Sequence, residues 1–266
     1  MTDLEKNAIR ENIEKIRKNV AEAAAKSGRN PGDIRIVLAT KTQPPEKINY
    51  AAECGITEIG ENRVQELLDK YEKLDREKLK IHFIGTLQTN KVKYIIDKVT
   101  LIHSVNSIKL AEEIDRQAKK HGIVMDVLIE INAAGEESKT GVSEDGIFEL
   151  LEYISGLKNI KVRGLMAIPP LMPYFSEKAN SLDECDKNVN KLQINSDSRY
   201  YFKKIMQIFL DISAKKIDNI NMEILSLGMS GDYAEAIEEG STLIRPGRAV
   251  FGEREYKIKG ESDTGK

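Results

Sequence analysis

The chain has no tryptophan, two cysteines in 266 residues, three histidines and almost no net charge, and each scarcity closes off a class of function. Cys54 and Cys185 are too few for a disulfide framework and have no neighbouring Cys or His of the kind a zinc site needs, so they read as reduced structural thiols. The histidines at 82, 103 and 121 lack metal-ligand spacing. Lys plus Arg number 41 against 43 for Asp plus Glu, and a net charge of −2 offers no field to recruit a nucleic-acid backbone or an anionic membrane. No apolar run approaches the roughly 20 residues that span a bilayer, and the opening MTDLEKNAIRENIEKIRKNV lacks the apolar stretch of a signal peptide; a cytoplasmic location is the expectation.

What is present is rhythm. Ile9, Ile13, Ile16, Val20 and Ala23 recur at three- and four-residue spacing, which predicts an opening amphipathic helix. Then come short, β-branched, nearly continuous apolar runs of the kind found in strands buried on both faces: 34 to 41, 58 to 62, 81 to 85, 101 to 105, 125 to 132, 161 to 168, 223 to 229 and 242 to 247. Helical periodicities separate them, as in Val64, Leu67, Leu68 and Tyr71, or Phe202, Ile205, Phe209 and Ile212. Eight alternating units and 40% hydrophobic residues predict an α/β fold, a single (β/α)8 TIM barrel with an extra N-terminal helix, as one domain over 1–256 with a tail at 257–266. An open dinucleotide-binding sheet would want a glycine-rich loop after the first strand, where the sequence has KTQPPEK. The polar stretch 171–199 interrupts the rhythm and reads as a surface excursion, a loop or marginal polar helix, with a lid over the barrel mouth as the sharper alternative.

Barrel chemistry sits at the C-terminal ends of the strands, so the polar residues placed there carry the functional reading. Lys41 closes the first apolar run; desolvation at a barrel mouth lowers an amine's pKa and lets it attack an aldehyde, although a lysine ending a strand is also an ordinary snorkelling residue. Asn62 ends the second strand, where a helix cap is the plain alternative, and His82 lies inside the third, where a core histidine is. Gly135, Lys139 and Gly141 in NAAGEESKTG fit turn chemistry. LSLGMSGDY and IRPGRAVFG place Ser226, Gly228, Gly247 and loop amides after the last two strands, where barrels build phosphate cradles, with Arg245 just ahead. A lysine, an amide or imidazole, an arginine and a phosphate nest together describe a pyridoxal 5′-phosphate (PLP) pocket.

On the segments VLATKTQPPEKI, GITEIGENRVQE, IHFIGTLQTNK, INAAGEESKTG, VRGLMAIPP and LSLGMSGDYAEAIEEGSTLIRPGRAVFG, the chain closely resembles the YggS and PROSC family of PLP homeostasis proteins from about Ile9 to Gly252. The resemblance implies that Lys41 bears the cofactor as a Schiff base and that Asn62 and His82 lie beside the pyridine ring. IRPGRAVFG also looks like the matching segment of the alanine racemase barrel, which implies Arg245 facing the ring nitrogen, the amides of Gly247 and Arg248 holding the phosphate, and Ser226 supplying a hydroxyl. An arginine in that place damps the ring as an electron sink. The chain departs from the family's usual form in the longer polar stretch and in Pro246 and Arg248, where Ile and Thr are common.

The expectation is a PLP-binding homeostasis protein without robust turnover, a monomer whose partners are PLP and PLP-dependent apo-enzymes. The alternative is a fold-type III racemase or decarboxylase; such enzymes carry an additional β domain, and 15 residues follow Phe251 here, with no second acid or base apparent for the substrate's other face. A phosphate-binding barrel without PLP is the third possibility.

Overall fold

A computed structural model describes residues 1–132, 140–169 and 184–252. The described residues form eight parallel strands closed in sequence order: β1 (Arg35–Ala39), β2 (Glu58–Glu61), β3 (Lys80–Phe83), β4 (Leu101–Val105), β5 (Met125–Ile131), β6 (Ile160–Ala167), β7 (Ile220–Ser226) and β8 (Leu243–Ile244). Around them lie α1 (Asp3–Lys26), α2 (Pro45–Glu53), α3 (Val64–Tyr71), α4 (Val92–Ile95), α5 (Ile108–His121), α6 (Ile147–Ser155), α7 (Glu184–Lys215), α8 (Tyr233–Glu238) and α9 (Arg248–Phe251). The expected barrel is present, and among the described residues no helix is long and apolar enough to cross a membrane.

Two apolar layers explain why these runs become strands. The larger cluster fills the space between wall and helices, with Leu38, Ile59, Phe83, Ile102 and Ile129 pointing outward. A smaller one fills the barrel interior, where Val37, Leu101, Leu128, Met166, Ile224 and Leu243 meet, with Ala39 packed beside them. Both faces of each strand are therefore buried, which erases the alternation an exposed sheet would show.

α1 starts on a reciprocal cap, Thr2 Oγ1 accepting from the Glu5 amide and the Glu5 carboxylate accepting from the Thr2 amide at 2.8 Å. It buries Ile9, Ile13, Ile16 and Val20, and Asn12 and Asn19 bond Val250 and Tyr233 at 3.0 and 2.8 Å, so it closes the ring where the first and last units meet.

Strand ends differ from the sequence reading. β1 stops at Ala39, so Lys41 stands beyond the ladder, in a turn that Thr42 completes at φ 67°; β8 is two residues long, leaving Arg245 past its end. Part of the 171–199 stretch is helical, because α7 is already under way at Glu184 and continues through Phe202 and Ile205 into the core. Residues 170–183, the tail after Gly252, and Gly135 and Lys139 lie outside the described residues.

Candidate functional site

The strand register assembles the mouth. Ala39 pairs with Gly60 and Gly60 with His82, so these three sit on one inward-facing level, while Lys41 and Asn62 fall one inward step above it. Lys41 is half-buried, and the Oδ1 of Asn62 is buried with no hydrogen-bond partner among the described residues. Gly85 packs so tightly on this turn that a Cβ would stand 2.2 Å from the Asn62 carbonyl oxygen, which fixes the loop that follows β3 against the loop that follows β2.

From that level downward runs a buried polar chain that crosses the barrel. Arg245 donates to the Ser226 hydroxyl, to the Ser226 carbonyl at 2.7 Å and to the Ala167 carbonyl at 3.0 Å. Ser226 Oγ lies 3.1 Å from His103 Nδ1, and His103 Nε2 lies 3.0 Å from His82 Nδ1. His82 Nε2 is 3.9 Å from Glu58, which Arg35 grips through Nε and Nη2. A guanidinium can only donate, so Ser226 Oγ accepts from Arg245. The contacts from Ser226 to His103 and from His103 to His82 each pair one donor with one acceptor, in the sense set by the tautomers of the two rings. Burial pushes the pKa of His82 down to about 3 and that of His103 well below the usual value, with the guanidiniums as lesser causes, so both rings are neutral.

Arg245 itself is fully enclosed. Desolvation lowers its pKa to about 10, while Asp232 and Glu130 favour the charged form, so it remains a cation near neutral pH. Burial raises the carboxyls of Glu130 and Asp232 in turn; Thr140 donates to Glu130 at 2.6 Å, and Asp232 accepts from the Met229 amide at 2.6 Å.

At the upper rim, the amides of Gly247 and Ala249 both donate to Ser230 Oγ, at 3.0 and 3.1 Å. These N–H groups open α9 and converge on a single oxygen. Gly247 also leans on the first strand, where a Cβ would meet the Ala39 carbonyl oxygen at 2.9 Å. Of the residues singled out from the sequence, Lys41 and Asn62 stand at the ends of neighbouring strands, and Gly247 lies in the loop cradle beside them, after β8, which pairs with β1. The Arg248 side chain is exposed, and Ser226 faces Arg245 and His103 below, leaving the loop amides to Ser230. Ser230 and His103 escaped the sequence reading. The signal for Ser230 was a second serine inside the same glycine-rich segment, and for His103 a histidine sharing the inward period of Leu101.

The chain belongs to the alanine racemase N-terminal domain family, which it matches over residues 5–255. Its place there is among the pyridoxal phosphate homeostasis proteins. That of Aquifex aeolicus is 42% identical over 246 residues, covering 92% of this chain and 98% of that protein. The Escherichia coli K12 protein is 32% identical over 257 residues, covering 95% and 100%. A solved structure of PipY from Synechococcus elongatus with PLP bound superposes with a TM-score of 0.69 at 28% identity, covering 88% of this chain and all of that one, 100%.

Proposed function

We propose that this chain is a PLP-binding homeostasis protein: one barrel domain over residues 1–256 that holds the cofactor as a Schiff base on Lys41 and works as a carrier, without robust turnover. The observation that carries the reading is the convergence of two loop amides on Ser230 Oγ, after the strand that neighbours the one ending near Lys41, at the same mouth as the unpartnered Asn62 oxygen. An oxygen already lies where a phosphate oxygen would accept the same N–H groups, and a helix start favours an anion there. The likeness to PipY, which was solved with PLP, supports the same ligand.

PLP supplies an aldehyde that condenses with a lysine amine and a ring that can spread negative charge. Lys41 would supply the amine to which that aldehyde attaches, with water as the product released. The residues of this chain bind and orient. The loop of Gly247, Arg248 and Ala249, with Ser230, takes the phosphate; Asn62 and the wall around His82 border the ring; Arg245 lies on the side of the ring nitrogen. A permanent donor has no lone pair for a protonated ring nitrogen, so it favours the unprotonated ring and weakens carbanion stabilisation. The neutral histidines also supply no cation beneath the ring. In this reading the protein is a cytoplasmic monomer whose partners are PLP and the apo-enzymes that receive it.

Borohydride reduction of the PLP-loaded protein followed by peptide mass spectrometry tests the assignment. The pyridoxyl adduct is expected on Lys41 and absent from Lys41→Ala; an adduct on another lysine, or none, overturns it. Racemisation or decarboxylation of any amino acid at about 1 per second, an ordinary enzyme rate, would overturn the carrier reading in favour of an enzyme.

A further inference from the structure

The barrel wall hides a second group of charged residues, on the outer side, directly behind Lys41. Glu61 ends β2 with its side chain on the face that Ile59 shares, turned toward α3, and it is completely buried. Its Oε1 accepts the Thr40 hydroxyl at 2.6 Å and the Lys70 ammonium at 2.9 Å. Lys70, on α3, is also buried, and its Nζ donates to the Thr40 carbonyl at 3.0 Å and lies 3.1 Å from Glu66 Oε1. The same Glu66 oxygen accepts the backbone N–H of Thr42.

These bonds have a common target. The Thr40 carbonyl belongs to the peptide that enters Lys41, and the Thr42 amide to the peptide that leaves it. Lys41 is thus the one residue bracketed by both grips. Thr42 adopts a left-handed φ of 67°, which costs a residue with a branched Cβ about 1 kcal/mol or more unless its surroundings fix it. Ladder contact continues up to Thr40, whose amide bonds the Gly60 carbonyl at 3.0 Å, and the Gln43 amide closes the turn on the Thr40 carbonyl at 3.0 Å. Beyond the ladder, the side-chain grips take over.

A buried ammonium with two carboxylates is an expensive device for stability alone, since desolvation consumes most of the Coulomb gain and apolar residues of similar volume do as well. Its geometry suits orientation. We propose that Glu61, Glu66 and Lys70 are positioning residues that clamp the main chain on both sides of Lys41 from behind the wall, so that its side chain leaves the strand end in one direction, toward the mouth. The inference rests on the reading of Lys41 as the point of attachment for PLP. The clamp acts before the cofactor arrives and holds the amine in reach of the aldehyde.

Glu66 is the place to cut, because its side chain is partly exposed and its removal leaves the Glu61–Lys70 pair intact. Glu66→Ala and Glu66→Gln, the second retaining an acceptor for the Thr42 amide, are compared with the unaltered protein in two measurements. The first is hydrogen exchange of the Thr42 amide in cofactor-free protein. The second is PLP titration read as the fraction of Lys41 peptide carrying pyridoxyl after reduction. Glu66→Ala is expected to exchange Thr42 at least about tenfold faster and to bind PLP about tenfold more weakly, with Glu66→Gln recovering most of both, the scale of one lost charge-assisted hydrogen bond. A second variant, Lys70→Met with Glu61→Leu, keeps the wall packed but removes the grip on the Thr40 carbonyl, leaving Glu66 on the Thr42 amide, and is expected to weaken PLP binding while unfolding cooperatively. Thr42 exchange unchanged in Glu66→Ala, or PLP affinity within about twofold of the unaltered protein in both variants, overturns the clamp. Absence of any Lys41 adduct in the unaltered protein overturns the binding reading instead, and the exchange measurement still judges the clamp.

Discussion

The two sides of the mouth are held by different means. On the β1–β2 side, the turn carrying Lys41 is gripped from outside the wall by ion-paired side chains, Glu61, Lys70 and Glu66. On the β7–β8 side, Arg245 is gripped from inside the barrel, by two main-chain carbonyls and a serine that leans on neutral histidines. The difference follows from what each side must present. In the proposed reading Lys41 carries the reacting amine, and the main chain on both sides of it is held by side chains behind the wall. An arginine that has only to stay charged and still can be fixed through its own N–H groups. Charge anchors the first side, and hydrogen-bond direction anchors the second.

Lys70→Met is the largest blow to that contrast. It leaves Glu61 fully buried without its counter-ion, and urea unfolding should register a loss of about 3–5 kcal/mol, most of which returns when Glu61→Leu is added. Recovery by the double variant would locate the loss in the stranded carboxylate; its absence would mean that the two residues do not act as a pair. Arg245→Met on the other side should cost less, about 2–4 kcal/mol, because the acceptors it abandons are uncharged and the nearby carboxyls of Glu130 and Asp232 are already pushed toward their neutral forms by burial. If Arg245→Met cost more than Lys70→Met, the assignment of charge to one side and hydrogen-bond direction to the other would be reversed.

How far the sequence carried this contrast depends on which surface a residue faces. The barrel was legible because runs such as 101 to 105 and 125 to 132 are apolar on both faces, and that pattern survives any detail of packing. Strand ends were less legible: Lys41 follows an unbroken apolar run, yet the ladder ends two residues earlier, where Thr40 turns its hydroxyl to a carboxylate across the wall. Lys70 was invisible as a buried residue. Glu66 and Lys70, four apart on a helix whose apolar stripe is Val64, Leu67, Leu68 and Tyr71, look like a solvated pair, and only the buried carboxylate at Glu61 draws the lysine inward. His103 was set aside for want of metal-ligand spacing, because contact with His82 depends on adjacent strands and not on any spacing along the chain.

Acid separates the two sides by sign. His82 and His103 have pKa values depressed by burial, His82 from 6.5 to about 3, so the unfolded chain takes up protons first as pH falls. Their contribution to stability is complete above pH 6.5 and is lost as pH drops toward 3. Glu61 is shifted upward by burial, so its contribution is complete below the ordinary carboxylate value of 4.5 and is lost as pH rises through its folded value. His103→Phe should lower stability at neutral pH by about 1–3 kcal/mol, since Ser226 and His82 each lose a partner. It should also flatten the fall in stability between pH 6.5 and about 5, by up to about 1.4 kcal/mol per pH unit for the one histidine removed. A slope identical to that of the unaltered protein, measured by urea unfolding across that range, would mean that His103 is not a buried neutral ring.

The smallest effect on folding tests the site most directly. Ser230 is half-buried and draws the Gly247 and Ala249 amides onto one oxygen, so Ser230→Ala should cost only about 0.5–1.5 kcal/mol, with water able to replace the hydroxyl at the rim. Inorganic phosphate as a competitor of PLP then separates two roles for this serine. If its hydroxyl joins the amides in holding the phosphate group, Ser230→Ala weakens phosphate and PLP by the same factor, because both lose the same contact. If the hydroxyl only occupies the cradle until an anion displaces it, its removal leaves the amides waiting, and both bind more tightly. A factor that differed between the two ligands would place the phosphate elsewhere and detach this loop from the Lys41 side of the mouth.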